Sequence, residues 1–191
     1  MGSEMCIRDR PGNHDVTAAM IPSAYAQQRL DIGGWSLLAM DSHVDDQPQA
    51  KVAPEHWQWL QDQLLDLAPR PVLLATHHPP VSVNSPWLDK DRIQNAAELL
   101  DWAAANASVK AMAFGHAHQE VSALHQCAAG NIALLGAPST CFQFAPGSQQ
   151  FSVNEQPPGY RAWQLYADGN FSSQVHRATD FTITIELDPA H

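Results

Sequence analysis

The sequence predicts an α/β fold in which sheets are flanked by helices. Three observations support this. Short apolar runs closed by turn residues alternate with two amphipathic helical segments in the first part of the chain. Strand-like segments then follow one another with no helix between them. Apolar residues make up 45% and charged residues 16% of the 191 positions, which suits a folded chain with a real core.

Trp35 to Met40 is an apolar run announced by Gly33-Gly34 and closed by Asp41-Ser42, and it reads as a buried strand. Pro54 to Leu67 reads as a helix. Proline suits its first turn, Trp57, Leu60, Leu64 and Leu67 recur at helical spacing, and Pro69 and Pro71 end it. Pro71 to Thr76 is a second buried strand, running into His77-His78-Pro79-Pro80. Asn95 to Ala105 is a second helix, with Asn95 as N-cap and Glu98 placed as in a capping box. Val109 to Phe114 is a third strand, ending at Gly115. Val121 to Gln126, Asn131 to Leu135, Arg161 to Tyr166 and Asn170 to His176 read as later strands. Asp168-Gly169 is a hairpin turn, and Pro146 to Pro158 is a polar loop. Met1 to Arg10 has no helical or strand period and reads as a foreign segment, and residues 179–191 read as a tail.

A formal charge of −10 argues against a duplex nucleic-acid partner, which calls for clustered Lys and Arg. Cys6, Cys127 and Cys141 lie far apart with no CxxC pair, which suits a reducing compartment and argues against cysteine-built zinc knots. There is no membrane-length apolar run and no secretory leader, so the expected location is the cytoplasm.

Three clusters carry chemistry: Gly12-Asn13-His14-Asp15, His77-His78-Pro79-Pro80 and Gly115-His116-Ala117-His118. The last two directly follow buried strands, and in sheets covered by helices ligands gather beyond the carboxyl ends of strands. Imidazole and amide-oxygen donors suit iron, manganese or zinc. Two histidines at i and i+2 in a loop can diverge toward the two ions of a pair. Glycine lets the backbone approach such a site closely.

In order, Gly12-Asn13-His14-Asp15, His77-x-Pro79 and Gly115-His116-x-His118 resemble the last three of five motifs of the calcineurin-like metallophosphoesterases. Pro138-Ser139-Thr140-Cys141-Phe142-Gln143-Phe144, Pro158-Gly159-Tyr160-Arg161 and Ala167-Asp168-Gly169 resemble the bacterial 3′,5′-cyclic AMP phosphodiesterases within that superfamily. The resemblance implies a four-layer αββα sandwich lacking its first strands, with residues 11–178 forming a partial phosphoesterase domain. It implies a dinuclear divalent metal centre of iron or manganese, with zinc as the alternative. Asn13, His77 and His116 would hold one ion and His118 the other, while His14, supported by Asp15, would act on the leaving oxygen. The implied reaction is hydrolysis of 3′,5′-cyclic AMP to 5′-AMP by a two-metal-activated hydroxide, with a small cyclic nucleotide as partner and neither nucleic acid nor membrane. The family's first two motifs, Asp-x-His and Gly-Asp-x-x-Asp, do not precede Asn13, so this chain is expected to be weakly active or inactive by itself. The alternatives are another metallophosphoesterase on the same scaffold, or an inactive fragment.

Other residues have plainer readings. His78 reads as a neighbour of the site or a surface residue rather than a ligand, and Asp41-Ser42-His43 as a chance Asp-x-His string. Trp57, Trp59 and Trp102 read as helix-packing residues and Cys141 as a small buried one. His125 and His176 read as structural or exposed; Trp87 packs more readily than it stacks on a base.

Overall fold

A computed structural model of the chain describes residues 28–44 and 49–180. Asn13, His14, Asp15 and the tail beyond residue 180 lie outside the described residues. A six-stranded sheet in the order β1-β2-β3-β4-β6-β5 organises the rest. It comprises β1 (Arg29–Ile32), β2 (Trp35–Ala39), β3 (Val72–Thr76), β4 (Val109–Phe114), β5 (Val121–Cys127) and β6 (Gly130–Gly136). Strands β2, β3, β4 and β6 are parallel, while β1 and β5 pair antiparallel at the two edges. The helices α1 (Pro54–Leu67) and α2 (Ala96–Ala105) precede β3 and β4 respectively, as parallel crossovers require.

The pleat sorts the two faces. Leu38, Leu74, Met112 and Leu134 stand side by side across the sheet, all buried in the core that also holds Leu60, Leu64, Leu99 and Leu100 of the helices. The intervening row, Leu37, Leu73, Ala111 and Ala133, faces the other way. Against that row packs a hairpin of β9 (Gly159–Leu165) and β10 (Phe171–Arg177), through Trp163, Leu165 and Phe171. The described residues therefore form three layers, helix, sheet and sheet, and the α/β reading holds.

Polar ties fix the second sheet to the first. The Trp35 indole donates to the Tyr166 carbonyl at 2.8 Å. The Arg161 guanidinium donates to the carbonyls of Gly136 and Val121 and to the Ser173 hydroxyl. Burial pushes its pKa down, so those carbonyls are what keep its charge tolerable. Gly159 is required where β9 meets β10, since a Cβ there would stand 2.7 Å from the His176 carbonyl oxygen.

Several expectations need correction. Gly33-Gly34 turns a hairpin, and Arg29–Ile32 before it is an edge strand. The segment between residues 146 and 158 contains β8 (Val153–Asn154), paired with β7 (Gln143–Phe144). Asn95 occupies the N-cap position of α2 but makes no side-chain cap bond. Its amide instead grips the Val52 backbone, accepting from the N–H at 3.0 Å and donating to the carbonyl at 3.1 Å. A long-range bidentate pairing thus displaces the local capping box. Cys141 is exposed, because it lies in the turn where its amide donates to Ser139 Oγ.

Leu74, fully buried in the central row, sets a test of the layered core. Leu74→Ala is expected to lower unfolding free energy by about 2–5 kcal/mol in urea titration, whereas Leu65→Ala, at an 80% exposed position, stays within about 0.5 kcal/mol. Equal effects at the two positions would contradict the packing described.

Candidate metal centre

The parallel pairing of β3 with β4 ends with Thr76 beside Phe114, so the next residues of both strands emerge at one rim. There the Gly115 amide donates to the His77 carbonyl at 3.0 Å and locks the two loops together. His77, His78 and His116 converge: one ring nitrogen from each lies within 4.8 Å of the others. His116 Nδ1 is 3.3 Å from His77 Nε2, and the rings stand 4.8–5.2 Å apart, centre to centre.

The backbone is bent hard to achieve this. His116 and His118 have φ of +59° and +48°, a region that residues with a Cβ seldom enter. The Ala117 amide returns to the Gly115 carbonyl at 2.6 Å, closing a left-handed γ-turn about His116. Such strain costs about 1–3 kcal/mol per residue and clusters at functional sites.

His78 is 1% exposed. Its Nδ1 lies 2.9 Å from Ser42 Oγ, which itself accepts from Thr76 Oγ1 at 3.0 Å. With the Thr76 proton used in that way, Ser42 gives its own proton to Nδ1, and this chain assigns the imidazole proton to Nε2. Among the described residues Nε2 has no hydrogen-bond partner, although it is buried and faces the cluster. Burial, with charge on His77, His116 and His43 opposing, pushes the His78 pKa down to about 3, so the ring is neutral. The Asp41-Ser42-His43 string thus contributes through its serine, and His43 lies close enough to affect His78.

His118 takes a different place. Its ring stacks on Phe144 at 4.4 Å and 10°, and Nδ1 lies 3.0 Å from the Phe142 carbonyl. A carbonyl only accepts, so the proton is on Nδ1 and Nε2 keeps its lone pair, the arrangement usual for metal-binding histidines. Desolvation lowers the His118 pKa and favours that neutral form.

Asp91 had no signal in the sequence. It closes a 3₁₀ turn, Asp89–Asp91, and brings Oδ2 to 3.7 Å from His116 Nε2, with its own pKa raised by burial. The converging donors are the three imidazoles, a nitrogen set of the kind that divalent transition ions accept, with the Asp91 carboxylate beside His116 rather than within the group.

A cleft of about 380 Å³ opens beside His118, lined by Gln119, Glu120, Ser122, Phe144, Asn154 and Gln156 among others. The loop that forms its wall is held by Ser85 Oγ, which accepts from Gln119 Nε2 and the Gly147 amide, and by Trp87, whose indole donates to Ser148 Oγ. Trp87 packs edge-on against Phe144 and Phe151, as a wall residue.

No family profile matches the chain. Among curated proteins, it is 35% identical over 181 residues to the 3′,5′-cyclic-nucleotide phosphodiesterase of Nostoc sp., covering 92% of this chain and 66% of that one. It is 35% identical over 176 residues to the 3′,5′-cyclic adenosine monophosphate phosphodiesterase CpdA of Escherichia coli K12, covering 89% and 62%. For CpdA of Pseudomonas aeruginosa the identity is 31% over 183 residues, covering 94% and 66%. The chain therefore spans just under two thirds of the length of these relatives. A dimetal phosphatase structure from Danio rerio aligns with 47% of this chain and 27% of its own at 19% identity and a TM-score of 0.37, too slight a likeness to bear on the fold. The likeness to these bacterial enzymes runs along about nine tenths of the chain at 31–35% identity, and over that length the chain is similar to the bacterial cyclic-nucleotide phosphodiesterases.

Proposed function

We propose that the protein hydrolyses 3′,5′-cyclic AMP to 5′-AMP at a centre built around His77, His116 and His118. The convergence of the rings of His77, His78 and His116 within 4.8 Å at the carboxyl rim of the sheet carries this reading. His77 and His116, with Asn13 by its motif, would hold one ion, and His118 would offer Nε2 to a second, its orientation fixed by the Phe142 carbonyl and the Phe144 ring. A bound metal pair supplies Lewis acidity and a nucleophilic water at neutral pH. His78 presents an N–H donor from a buried position, and Ser42 and Thr76 keep it there to orient an anionic group. By the resemblance of Gly12-Asn13-His14-Asp15 to the family motif, His14 would act on the leaving oxygen, with Asp15 supporting it.

The cleft beside His118 accommodates the nucleoside. Its volume is in the range of small-ligand sites, and the amides of Gln119, Asn154 and Gln156 offer the paired donor and acceptor groups that a purine edge recognises. Among the described residues the cleft is lined by the Glu120 carboxylate and by no lysine or arginine, which favours the singly charged diester over a doubly charged monoester.

The whole encoded protein, supplied with manganese or iron, is expected to release 5′-AMP from cyclic AMP in preference to hydrolysing 4-nitrophenyl phosphate. His116→Ala is expected to lower kcat/KM by about 100-fold or more while circular dichroism stays unchanged. A preference for the monoester, or an undiminished His116→Ala variant, would sink the assignment.

Gln156→Ala separates the cleft from the centre. Loss of the amide should raise KM for cyclic AMP by roughly tenfold, about 1.4 kcal/mol, with metal content unchanged in plasma emission measurements. An unaltered KM would place the nucleoside elsewhere.

A further inference from the structure

The outer edge of the main sheet carries a second group of metal-binding donors, on a strand and helix face apart from the rim histidines. We propose that Asp101, His125 and Cys127 form a site for one divalent ion of the zinc class, separate from the phosphoesterase centre.

The site follows from three local arrangements. His125 and Cys127 are two residues apart on β5, so the pleat sends both side chains to the same face, the one on which α2 packs. Asp101 lies on α2, one turn ahead of Ala104. The turn between β5 and β6 comes in against that turn of the helix at Gly130, where a Cβ would collide with the Ala104 carbonyl oxygen. Only glycine allows so close an approach, and the approach carries the end of β5 to the helix.

The resulting donors fit the ion by type and by size. One carboxylate oxygen, one imidazole nitrogen and one sulfur lie within 4.8 Å of one another. Zinc–ligand bonds of about 2.0–2.3 Å in a tetrahedron set donors roughly 3–4 Å apart. The His125 Nε2 to Asp101 Oδ1 contact is 2.8 Å, so the aspartate must open slightly to admit the ion. It is free to do so, because the Asp101 side chain is 62% exposed whereas that of His125 is 23% exposed. Cys127 is a free thiol, half-buried against the core, so its sulfur is held while the carboxylate adjusts.

An exposed histidine–aspartate pair alone is worth little. What distinguishes this one is the thiol on the same face within coordinating reach. Borderline-soft zinc favours a mixed sulfur, nitrogen and oxygen set, whereas manganese and magnesium favour oxygen. On binding, the Cys127 S–H bond breaks, sulfur keeps the electron pair as thiolate and bonds the ion, and the proton passes to solvent. Water takes the fourth position. The ion then ties edge strand β5 to helix α2, adding to their side-chain packing and to the His125–Asp101 contact.

Cobalt(II) titration of the chain, with zinc as competitor, tests the site. A thiolate-to-cobalt charge-transfer band is expected in the near ultraviolet and is expected to bleach on adding zinc. The rim histidines cannot produce this band, so His77→Ala/His116→Ala should retain it. Cys127→Ser should abolish it, and His125→Ala should weaken cobalt affinity roughly tenfold or more. Alkylation of Cys127 in the unaltered chain, followed by peptide mapping, gives a readout that needs no variant: zinc should slow it at least tenfold. No band, a band that survives Cys127→Ser, an affinity unchanged by His125→Ala, or unprotected Cys127 would each overturn the proposal.

Discussion

One backbone hydrogen bond, from the Gly115 amide to the His77 carbonyl, holds the candidate centre together. It extends the β3–β4 ladder by one step past the last paired residues, Thr76 and Phe114. Without it the two loops would leave the sheet independently, and two histidines 39 residues apart would have no reason to meet. With it, the rings of His77 and His116 stand 5.2 Å apart and the strained turn at His116 has a fixed anchor. The strain is local and the anchor is cooperative, because the ladder it extends is buried on both faces.

The remaining architecture can be understood as support for that rim. The Leu38, Leu74, Met112 and Leu134 row fixes the height of the strands relative to one another, and so the level at which the loops emerge. A slip of one residue would turn every one of these leucines to the wrong face. Below the histidines, the Thr76–Ser42–His78 chain passes polar groups through an otherwise apolar layer, with both hydroxyls used. Above them, the aromatic contacts of Phe144 with His118, Trp87 and Phe151 hold the wall of the cleft in place. The contacts of Phe144 with His118 and Trp87 link residues from different loops, so the cleft is defined only when the fold is complete.

What could be read from the sequence follows the range of the interactions concerned. The helix Pro54–Leu67 was legible to the residue because its signals are local: a proline in the first turn and leucines at helical spacing. The strands before His77 and Gly115 were legible because they are short apolar runs buried on both faces. Strand β1 was not, because Arg29–Ile32 mixes charged and apolar residues and faces solvent at the sheet edge. Asn95 misled for a related reason, since its partner Val52 lies 43 residues away and no local pattern announces it. The same limit applies at the site. His77, His116 and His118 have motif spacing, whereas the burial of His78 and the approach of Asp91 to His116 depend on tertiary contacts alone.

Anomalous diffraction from crystals of the protein grown with manganese addresses the central claim most directly. A manganese peak is expected at coordination distance from His77 and His116, on the rim where Gly115 meets the His77 carbonyl. Manganese density confined to other places, with the two imidazoles hydrogen-bonded elsewhere and the rim filled only by water, would contradict it.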